Sequence, residues 1–499
     1  MPTLTIDGVQ VTVDAGTSII EAAKKLGKDT PHFCYHPKLS VAGNCRMCLV
    51  DVEKSPKPVI SCQAQCGEGM VVHTDTPNVK ALRKNVLEFI LINHPIDCPV
   101  CDQAGECKLQ EYYMKHSISD SQMMEEKVHK PKRVDLGPLV VLDSERCVLC
   151  SRCIRFCDEI SKTGELCFSH RGDHETLTTF PGMQLDNKYS LNTVDICPVG
   201  ALTNKDFRFE CRVWFLQETA SVCNGCSTGC NIKINHNDGK IHRYLPRDNE
   251  AVNQCWLCDE GRLSYKYVNA ESRLLRPRKQ LSNETKPLAP KLAVQELMDS
   301  LKHSKDLVFV GSAYESNENN YALKKLAKTL GTTELYYTAR EVANPSQDDF
   351  LIKADKNPNR AGVIALGFKP LTEAKLAGKI VVVLDGLNVN ELAKLKADAP
   401  KLLIALSSNE NSTTQIADWV LPSATFAEQI GTFTNFQKRA QYFTQALAVK
   451  GDVRPSWQWL KEMALLAGDV WKLSSEEAFF KEAFNLSYAE LGAEGKVLA

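Results

Sequence analysis

The residues with the clearest chemistry in this chain are its cysteines. The sequence of 499 residues contains 20 of them, and all lie between Cys34 and Cys258. The first residues lack the charged and apolar layout of a secretory signal, so disulfides are not expected. Clustered thiols in a reducing compartment indicate metal or iron–sulfur ligation instead. Together with one histidine, these cysteines form four sets.

The first set contains Cys34, Cys45, Cys48 and Cys62. Four thiolates can hold a 2Fe–2S cluster, and a tight pair with two distant cysteines is similar to plant-type spacing, although the first gap is longer. Gly43 would let backbone amides approach the cluster sulfurs. The same four cysteines could also bind zinc, which stays open as an alternative.

The second set contains His94, Cys98, Cys101 and Cys107. Taken alone, it could bind zinc, and a histidine after an apolar helix can also be purely structural. Next to a ferredoxin-like site, the set predicts a 4Fe–4S cluster held by three cysteines and one histidine. A neutral imidazole in place of a thiolate changes the charge of such a site and therefore its potential.

The third set has the spacing of bacterial ferredoxins: Cys147, Cys150, Cys153 and Cys157, followed by a distant Cys197-Pro198. In that pattern the first three cysteines and the Cys-Pro cysteine hold one cluster, and the fourth serves a second cluster. We therefore predict one 4Fe–4S cluster on Cys147, Cys150, Cys153 and Cys197.

A second ferredoxin cluster would need cysteines at three positions that hold other residues, Asn187, Ser190 and Thr193. Cys157 is therefore left without a cluster. We predict that Cys157, Cys167 and Cys211 are small buried residues rather than ligands. Cys66 has no assigned role.

The fourth set contains Cys223, Cys226 and Cys230 with a distant fourth ligand. Cys258 is favoured over Cys255 because Gly261, just beyond it, can relieve crowding of the backbone. The set predicts a further 4Fe–4S cluster, and a zinc ribbon is the alternative.

The elements that position the first set begin with a hairpin. Residues 3–13 alternate in polarity around Asp7-Gly8, a strong hairpin turn signal. Ser18 and Glu21 have the spacing of a capping box ahead of a helix. A hairpin, a helix and a cysteine-rich loop in this order resemble the β-grasp fold of plant-type ferredoxins.

Further along, residues 78–94 are predicted to form an amphipathic helix that delivers His94. Residues 120–137 are charged and contain proline, which indicates a linker. Within it, the basic stretch 127–133 is interpreted as solvated and not as a binding patch.

From about residue 274 the pattern changes to alternating strands and helices. Apolar runs predict strands at 307–311, 335–337, 380–384 and 402–406, and helical segments such as 321–330 and 392–397 lie between them. This alternation predicts an α/β domain with a mostly parallel sheet. No GxGxxG or Walker A sequence follows these strands, so no nucleotide site is predicted.

The composition narrows the function classes. With 60 basic and 61 acidic residues, the chain has no net positive electrostatic field that would attract nucleic acid or an anionic membrane. No apolar run reaches the roughly 18–20 residues that cross a bilayer, so no direct membrane span is expected. No nucleophile and base can be paired, so no catalytic residue is assigned.

The order of the motifs resembles the large iron–sulfur subunit (the G subunit) of bacterial complex I, the respiratory NADH:quinone oxidoreductase. The resemblance rests on the 2Fe–2S loop, HxxxCxxCxxxxxC, CxxCxxC with a remote CPVGAL, and CxxCxxxC with x27-C, and it is specific over residues 1–270. Residues 417–441 look like the molybdopterin oxidoreductase signature. Because no cysteine follows Cys258, this half is interpreted as a shortened remnant that serves as a scaffold and not as a catalyst. No molybdenum cofactor is expected.

The resemblance implies a multidomain chain that is α+β and then α/β. Its expected domains are a 2Fe–2S β-grasp domain at 1–78, a histidine-ligated 4Fe–4S domain at 79–120, a ferredoxin-like 4Fe–4S domain at 135–215, a 4Fe–4S module of molybdopterin-oxidoreductase type at 217–273, and an α/β remnant at 274–499. One 2Fe–2S and three 4Fe–4S clusters would relay electrons from an NADH-binding flavoprotein subunit toward quinone. No bond chemistry is expected on this chain alone.

The resemblance also implies attachment to the cytoplasmic side of the inner (plasma) membrane through other hydrophilic and membrane subunits. Two alternatives stay open: an electron-transfer subunit of a soluble NAD-linked hydrogenase or formate dehydrogenase, and a zinc-stabilised scaffold. The lost second ferredoxin cluster favours the respiratory family, because the hydrogenases usually keep both clusters.

Overall fold

The computed structural model describes residues 1–116, 121–281, 284–302 and 304–498. Parts of the predicted linker and domains, at 117–120, 282–283, 303 and 499, lie outside these described residues. The chain divides into two compact units, Met1–Phe215 and Leu216–Ala499. Within the described ranges, no helix is both long enough and apolar enough to span a bilayer.

The first unit contains short strands and helices around the cysteine loops. Its strands are β1 Thr3–Ile6, β2 Val9–Thr12, β3 Leu49–Val52, β4 Val59–Ile60, β5 Val71–His73, β6 Val134–Asp135, β7 Val140–Leu142, β8 Leu166–Ser169, β9 Thr176–Thr179 and β10 Leu202–Asn204. Its helices are α1 Ile19–Lys25, α2 Pro77–Leu91, α3 Lys108–His116, α4 Arg152–Glu159 and α5 Asn192–Asp195.

The N-terminal sheet has the strand order β2-β1-β5-β3-β4, in which only the β1–β5 pair is parallel. The predicted hairpin is confirmed, and its turn residues Asp7 and Gly8 both have positive φ, as a tight hairpin turn requires. Leu4 and Ile6 point into a core shared with Ile19 of α1. The mixed sheet covered by one helix confirms the β-grasp prediction.

The capping-box prediction is wrong in its detail. Ser18 is the N-cap residue of α1, but its side chain makes no capping hydrogen bond. The carboxylate of Glu21 accepts a hydrogen bond of 2.6 Å from the Tyr35 hydroxyl instead. Glu21 therefore ties the helix to the loop of the first cysteine set.

Helix α2 ends earlier than predicted, at Leu91, so that His94 lies beyond the helix. The ammonium of Lys127 donates to the carbonyls of Leu91, Ile92 and His94 at 2.6, 2.9 and 3.1 Å. A lysine that satisfies carbonyls at a helix C-terminus is a favourable cap. At Lys127 the interpretation of 127–133 as a solvated stretch is therefore wrong.

The second unit begins with the antiparallel sheet β11-β12-β13 and continues into an α/β domain. Its strands are β11 Gln217–Val222, β12 Asn231–Asn237, β13 Lys240–Pro246, β14 Arg278–Gln280, β15 Thr285–Pro287, β16 Leu307–Ser312, β17 Leu335–Thr338, β18 Lys369–Pro370, β19 Ile380–Leu384, β20 Leu402–Ser407, β21 Trp419–Pro422, β22 Gly431–Thr434, β23 Arg439–Phe443 and β24 Lys496–Val497. Its helices are α6 Asp259–Arg262, α7 Pro290–Leu301, α8 Asn317–Thr329, α9 Arg360–Ala365, α10 Val389–Asp398, α11 Ser412–Ile416, α12 Ser456–Leu466, α13 Glu476–Phe484 and α14 Tyr488–Leu491.

The large sheet confirms the α/β prediction. Its order is β15-β14-β21-β20-β19-β16-β17-β18, and all neighbours from β21 to β18 run parallel. Phe309 and Val382 face a core with α7, α8 and α12, whereas Val308 and Val381 face a second core on the other side. A sheet covered on both faces explains why these strands are apolar throughout.

Helix α8 begins at Asn317, four residues before the predicted segment. Its first turn is polar but buried, and the pattern of apolar residues did not indicate this. Ser316 caps the helix by accepting from the Asn319 amide at 3.2 Å. Glu318 accepts from the backbone N–H of Thr432 at 2.8 Å. These tertiary hydrogen bonds, invisible in the sequence pattern, make a polar turn compatible with burial.

Candidate metal centres

The first set forms two thiol pairs that lie close together. Cys34, Cys48 and Cys62 are buried and Cys45 is half-buried. A hydrogen bond from the Cys45 thiol lowers the pKa of Cys34 to about 5, and a hydrogen bond from Cys62 lowers the pKa of Cys48 to about 7. The hydrogen bond to Cys48 and burial raise the pKa of Cys62, and the charges of Cys48 and Cys34 act in the same direction. These hydrogen bonds and mutual charges show that the structure brings all four sulfurs together.

The backbone of the first loop approaches these sulfurs closely. The amide of Phe33 donates to the Cys45 sulfur at 3.4 Å. Gly43 has a positive φ of 61°, and a Cβ there would lie 3.1 Å from Ile60. A side chain at this position would be strained and crowded, so glycine suits the close packing of the loop. That Gly43 lets backbone amides reach the cluster sulfurs stays a prediction.

The second set brings its three cysteines together. Burial, with a smaller contribution from the neighbouring thiols of Cys101 and Cys98, raises the pKa of Cys107 to about 11. Cys98 begins a 3-10 turn, Cys98–Val100, and Cys107 directly precedes α3. Three thiols in one short segment can thus face one centre.

His94 has the chemistry of a ligand, although its strongest electrostatic neighbours are not the thiols. Burial, followed by the charges of Arg146 and Lys127, lowers the pKa of its imidazole to about 4, which favours the neutral ring. Its buried Nδ1 has no hydrogen-bond partner among the described residues. A neutral imidazole with an unsatisfied nitrogen suits a metal, and ligation by His94 stays a prediction.

The third set lines a cavity. Cys147, Cys150, Cys153 and Cys197 surround it together with the apolar side chains of Phe168, Leu177, Val199, Ala201 and Leu202. Burial, followed by the charges of neighbouring thiols, raises the pKa of Cys147 to about 12 and that of Cys150 to about 11. Amides of residues 199, 201 and 202 donate to the Cys197 sulfur and partly offset the same effect there.

Cys157 does not line this cavity. It is buried on α4, and burial together with the carboxylate of Glu165 raises its pKa. Glu165 also accepts from the Asn187 side-chain amide at 2.9 Å, and Thr193 donates to the Ser190 carbonyl at 2.7 Å. A hydrogen-bonded polar core thus occupies the positions that would hold a second ferredoxin cluster.

Two other cysteines differ from the prediction. Cys167 and Cys211 are half-buried, not buried. Cys167 lies on β8, whose side chains alternate between the two sides of a two-stranded sheet. Cys211 lies at the end of a segment after β10 whose residues are mostly half-buried or exposed. Neither Cys167 nor Cys211 is therefore fully covered.

Two cysteines of the fourth set pack against one glycine, Gly261. Cys223 directly follows the last residue of β11, and Cys258 caps α6 by accepting from the Gly261 amide at 3.3 Å. A Cβ at Gly261 would lie 3.0 Å from the Cys223 sulfur and 3.2 Å from the Cys258 sulfur. Only glycine lets the two sulfurs approach this closely.

The thiols of the fourth set also perturb one another. Burial raises the pKa of Cys223 to about 12, with Cys226 as the next cause. Burial and the charges of Cys223, Cys226 and Cys258 raise the pKa of Cys230. This grouping supports Cys258 over the half-buried Cys255 as the fourth ligand.

We predict that Cys258→Ser removes the fourth cluster, about four iron atoms per chain, because the site would lose one of its four thiolate ligands. Cys255→Ser is the matched control and should retain all iron. Iron content and low-temperature paramagnetic resonance of the reduced variants measure both effects. Loss of iron in the Cys255 variant alone would reverse the assignment.

The sets of the first unit are linked by direct contacts. Arg155 donates to the Cys34 carbonyl at 2.5 Å and to the Cys150 carbonyl at 3.3 Å, joining the first and third sets. The Lys108 amide donates to the Pro198 carbonyl at 2.9 Å, and a Cβ at Gly200 would lie 2.5 Å from the Cys101 sulfur. The third set therefore adjoins both of the others.

The donor chemistry fits iron–sulfur clusters. Among the described residues, no three His, Cys, Asp or Glu side chains are arranged to hold a single metal ion. A cluster contains several irons and spreads its ligands over more space than one ion, so donor type and burial are the relevant tests. Each set offers three or four soft thiols that are buried or half-buried, and backbone amides donate to some of their sulfurs, so both tests are met.

Comparison with protein-family models gives five matches. They are a 2Fe-2S iron-sulfur cluster binding domain at residues 1–77, an NADH-ubiquinone oxidoreductase-G iron-sulfur binding region at 83–122, an NADH-quinone oxidoreductase subunit 3 ferredoxin-like domain at 137–203, a molybdopterin oxidoreductase Fe4S4 domain at 216–270 and a molybdopterin oxidoreductase at 376–465. Each cysteine set lies within a cluster-binding model.

Curated relatives cover most of this chain. The NADH-quinone oxidoreductase G subunit of Rickettsia bellii is 38% identical over 395 residues, which are 76% of this chain and 57% of the relative. The corresponding G subunit of Streptomyces coelicolor is 40% identical over 70% of this chain and 42% of its own. The mitochondrial NADH dehydrogenase (ubiquinone) iron-sulfur protein 1 of Solanum tuberosum is 39% identical over 66% of this chain and 45% of its own. The chain spans about half the length of the curated relatives it matches.

Proposed function

We propose that the chain is a member of the G-subunit family of NADH-quinone oxidoreductases, to which its relatives are assigned, and that it carries electrons inside such an enzyme. Electrons would enter from an NADH-binding flavoprotein subunit and leave toward a quinone-reducing part of the complex. The observation that carries the proposal is the series of four thiol sets, three of them connected within one compact unit.

We assign the ligands set by set. A 2Fe–2S cluster would be held by Cys34, Cys45, Cys48 and Cys62, and three 4Fe–4S clusters by His94, Cys98, Cys101 and Cys107, by Cys147, Cys150, Cys153 and Cys197, and by Cys223, Cys226, Cys230 and Cys258. When bound, such clusters supply one-electron carriers. The five domain ranges expected from the sequence, 1–78, 79–120, 135–215, 217–273 and 274–499, are part of this proposal.

The chain's own residues fix the sulfurs and control their surroundings. Apolar side chains such as Phe168 and Leu177 keep water away from the third set. Backbone amides donate to sulfurs, as Gly225 does to Cys223 at 3.4 Å. Hydrogen bonds to sulfur and burial are the means by which proteins adjust cluster potentials. The chain would thus position and tune the clusters without forming or breaking bonds in a substrate.

Partners and location follow from the proposed role. The flavoprotein, other hydrophilic subunits and membrane subunits would surround the chain, and attachment to the cytoplasmic side of the inner membrane would come through them. Purification of the tagged chain from its native membranes tests this. We expect recovery with an NADH-oxidising flavoprotein and integral membrane subunits. Recovery with a soluble hydrogenase or formate dehydrogenase and no membrane subunit would contradict the respiratory role.

We predict that His94→Cys retains the second cluster but changes its midpoint potential and its paramagnetic resonance spectrum, because a thiolate adds negative charge where imidazole is neutral. The potential should fall, since added negative charge disfavours the reduced form. His174→Cys, at an exposed position of the same unit, controls for the extra thiol. A spectrum identical to that of the unsubstituted protein would show that His94 is not a ligand.

A further inference from the structure

A buried arginine lies between the first and third cysteine sets. Arg152 is only 9% exposed and begins α4, between Cys150 and Cys153. One of its terminal nitrogens donates to the Ile196 carbonyl at 3.0 Å, directly before Cys197. The other donates to the carbonyl of Tyr35, directly after Cys34. The same guanidinium therefore touches the ligand loops of both sets.

The charge of Arg152 is balanced in an unusual way. Burying a guanidinium is costly unless an anion accompanies it, and the ordinary partner is a carboxylate. Both side-chain hydrogen bonds of Arg152 go to backbone carbonyls, which carry no charge, and these lie beside Cys197 and Cys34. Negatively charged clusters held by those cysteines would supply the counter-charge that the guanidinium requires.

The arginine also has unused hydrogen-bonding capacity at the third site. Its side chain lines the cavity that Cys147, Cys150, Cys153 and Cys197 surround. Its buried Nε has no hydrogen-bond partner among the described residues. A buried donor without a partner is costly, so an acceptor within the site would stabilise it.

From these contacts we propose that Arg152 is a counter-ion shared by the two clusters, and that it raises the midpoint potentials of both. The inference rests on the proposed ligand assignments. A thiolate-bound cluster gains one negative charge on reduction, and a fixed cation in a low-dielectric setting stabilises that form. Arg152 is a positioning and tuning residue in this account, and it takes no electron itself.

Arg155 provides a comparison on the next turn of the same helix. It also contacts both loops, through the Cys34 and Cys150 carbonyls, but its side chain is half-buried. Water screens an exposed charge far more than a buried one. We therefore expect Arg155 to contribute less to either potential than Arg152 does.

Redox titration of the full, cluster-loaded chain tests the proposal, with each cluster followed by its own paramagnetic resonance signal. Arg152→Met should lower both midpoint potentials, so that at a fixed ambient potential the reduced fraction of both clusters falls several-fold. Arg155→Met should cause a smaller shift in the same direction. Arg133→Met, which removes a charge from an exposed position of the same unit, should shift neither potential. Arg152→Lys keeps the charge and should leave both midpoint potentials close to those of the unsubstituted chain.

The outcomes separate the proposal from the ligand assignment. Absence of both signals from the unsubstituted chain would refute the assignment itself. Intact signals with unchanged potentials in Arg152→Met, or a shift at only one cluster, would overturn the shared counter-ion. If Arg152→Met loses iron, retention of iron by Arg152→Lys supports a requirement for positive charge. Loss of iron in Arg152→Lys as well would mean that packing and not charge matters, and would also overturn the proposal.

Discussion

Cys197→Ser is expected to remove the third cluster, with a loss of about four iron atoms per chain and of the matching resonance signal. Cys197 is the distant ligand of this set, and three backbone amides already donate to its sulfur. A serine hydroxyl is a poor ligand for iron in a cavity built for soft sulfur. The third set adjoins the first and second sets. Without its cluster, electron transfer between the first and second clusters should therefore fall by orders of magnitude.

Cys157→Ser is the matched control for this prediction. Cys157 comes from the same motif, but its thiol lies beside Glu165 in a polar core and away from the cavity. Iron content and all resonance signals should remain unchanged. If Cys157→Ser lost the cluster and Cys197→Ser retained it, the ligand set of this site would have to be redrawn.

Gly200→Ala is expected to damage the second and third sites together. The new Cβ would lie 2.5 Å from the Cys101 sulfur and 2.9 Å from the Cβ of Gln103, so one of the two segments must move. Overpacking of this kind costs roughly 1–3 kcal/mol of stability. Gly200 lies three residues from Cys197, so the displacement reaches ligands of both sets. The resonance signals of both clusters should weaken, while that of the first cluster is retained.

Gly67→Ala is the control, because a Cβ there meets only Met70 at an ordinary contact distance of 3.5 Å. Its thermal midpoint and cluster signals should equal those of the unsubstituted chain. Gly200→Ala with full signals from the second and third clusters would show that the contact between the two segments is looser than the structure indicates.

Local patterns in the sequence were sufficient for the main elements. The turn at Asp7-Gly8 predicted the first hairpin, and the apolar runs predicted strands such as Ile380–Leu384. These succeed because the signal lies in adjacent residues: turn chemistry in one case, burial on both faces in the other. The cysteine sets are visible for the same reason, since ligands of one cluster are mostly close in sequence.

What the sequence did not reveal depends on contacts between distant residues. Lys127 caps α2 from 33 or more positions away, and this explains a helix that ends before His94. Glu165 meets Asn187 and Cys157 only in the folded chain. Arg152 gave no signal beyond its place inside a cysteine motif. Such partners are set by tertiary packing, which residue spacing does not encode.

The central claim is that the thiols of this chain hold iron and sulfide, and metal analysis of anaerobically purified chain tests it most directly. We expect about 14 iron and about 14 acid-labile sulfide per chain, the sum for one 2Fe–2S and three 4Fe–4S clusters, with negligible zinc. Stoichiometric zinc without iron or sulfide would contradict the account and leave a zinc-stabilised scaffold in its place.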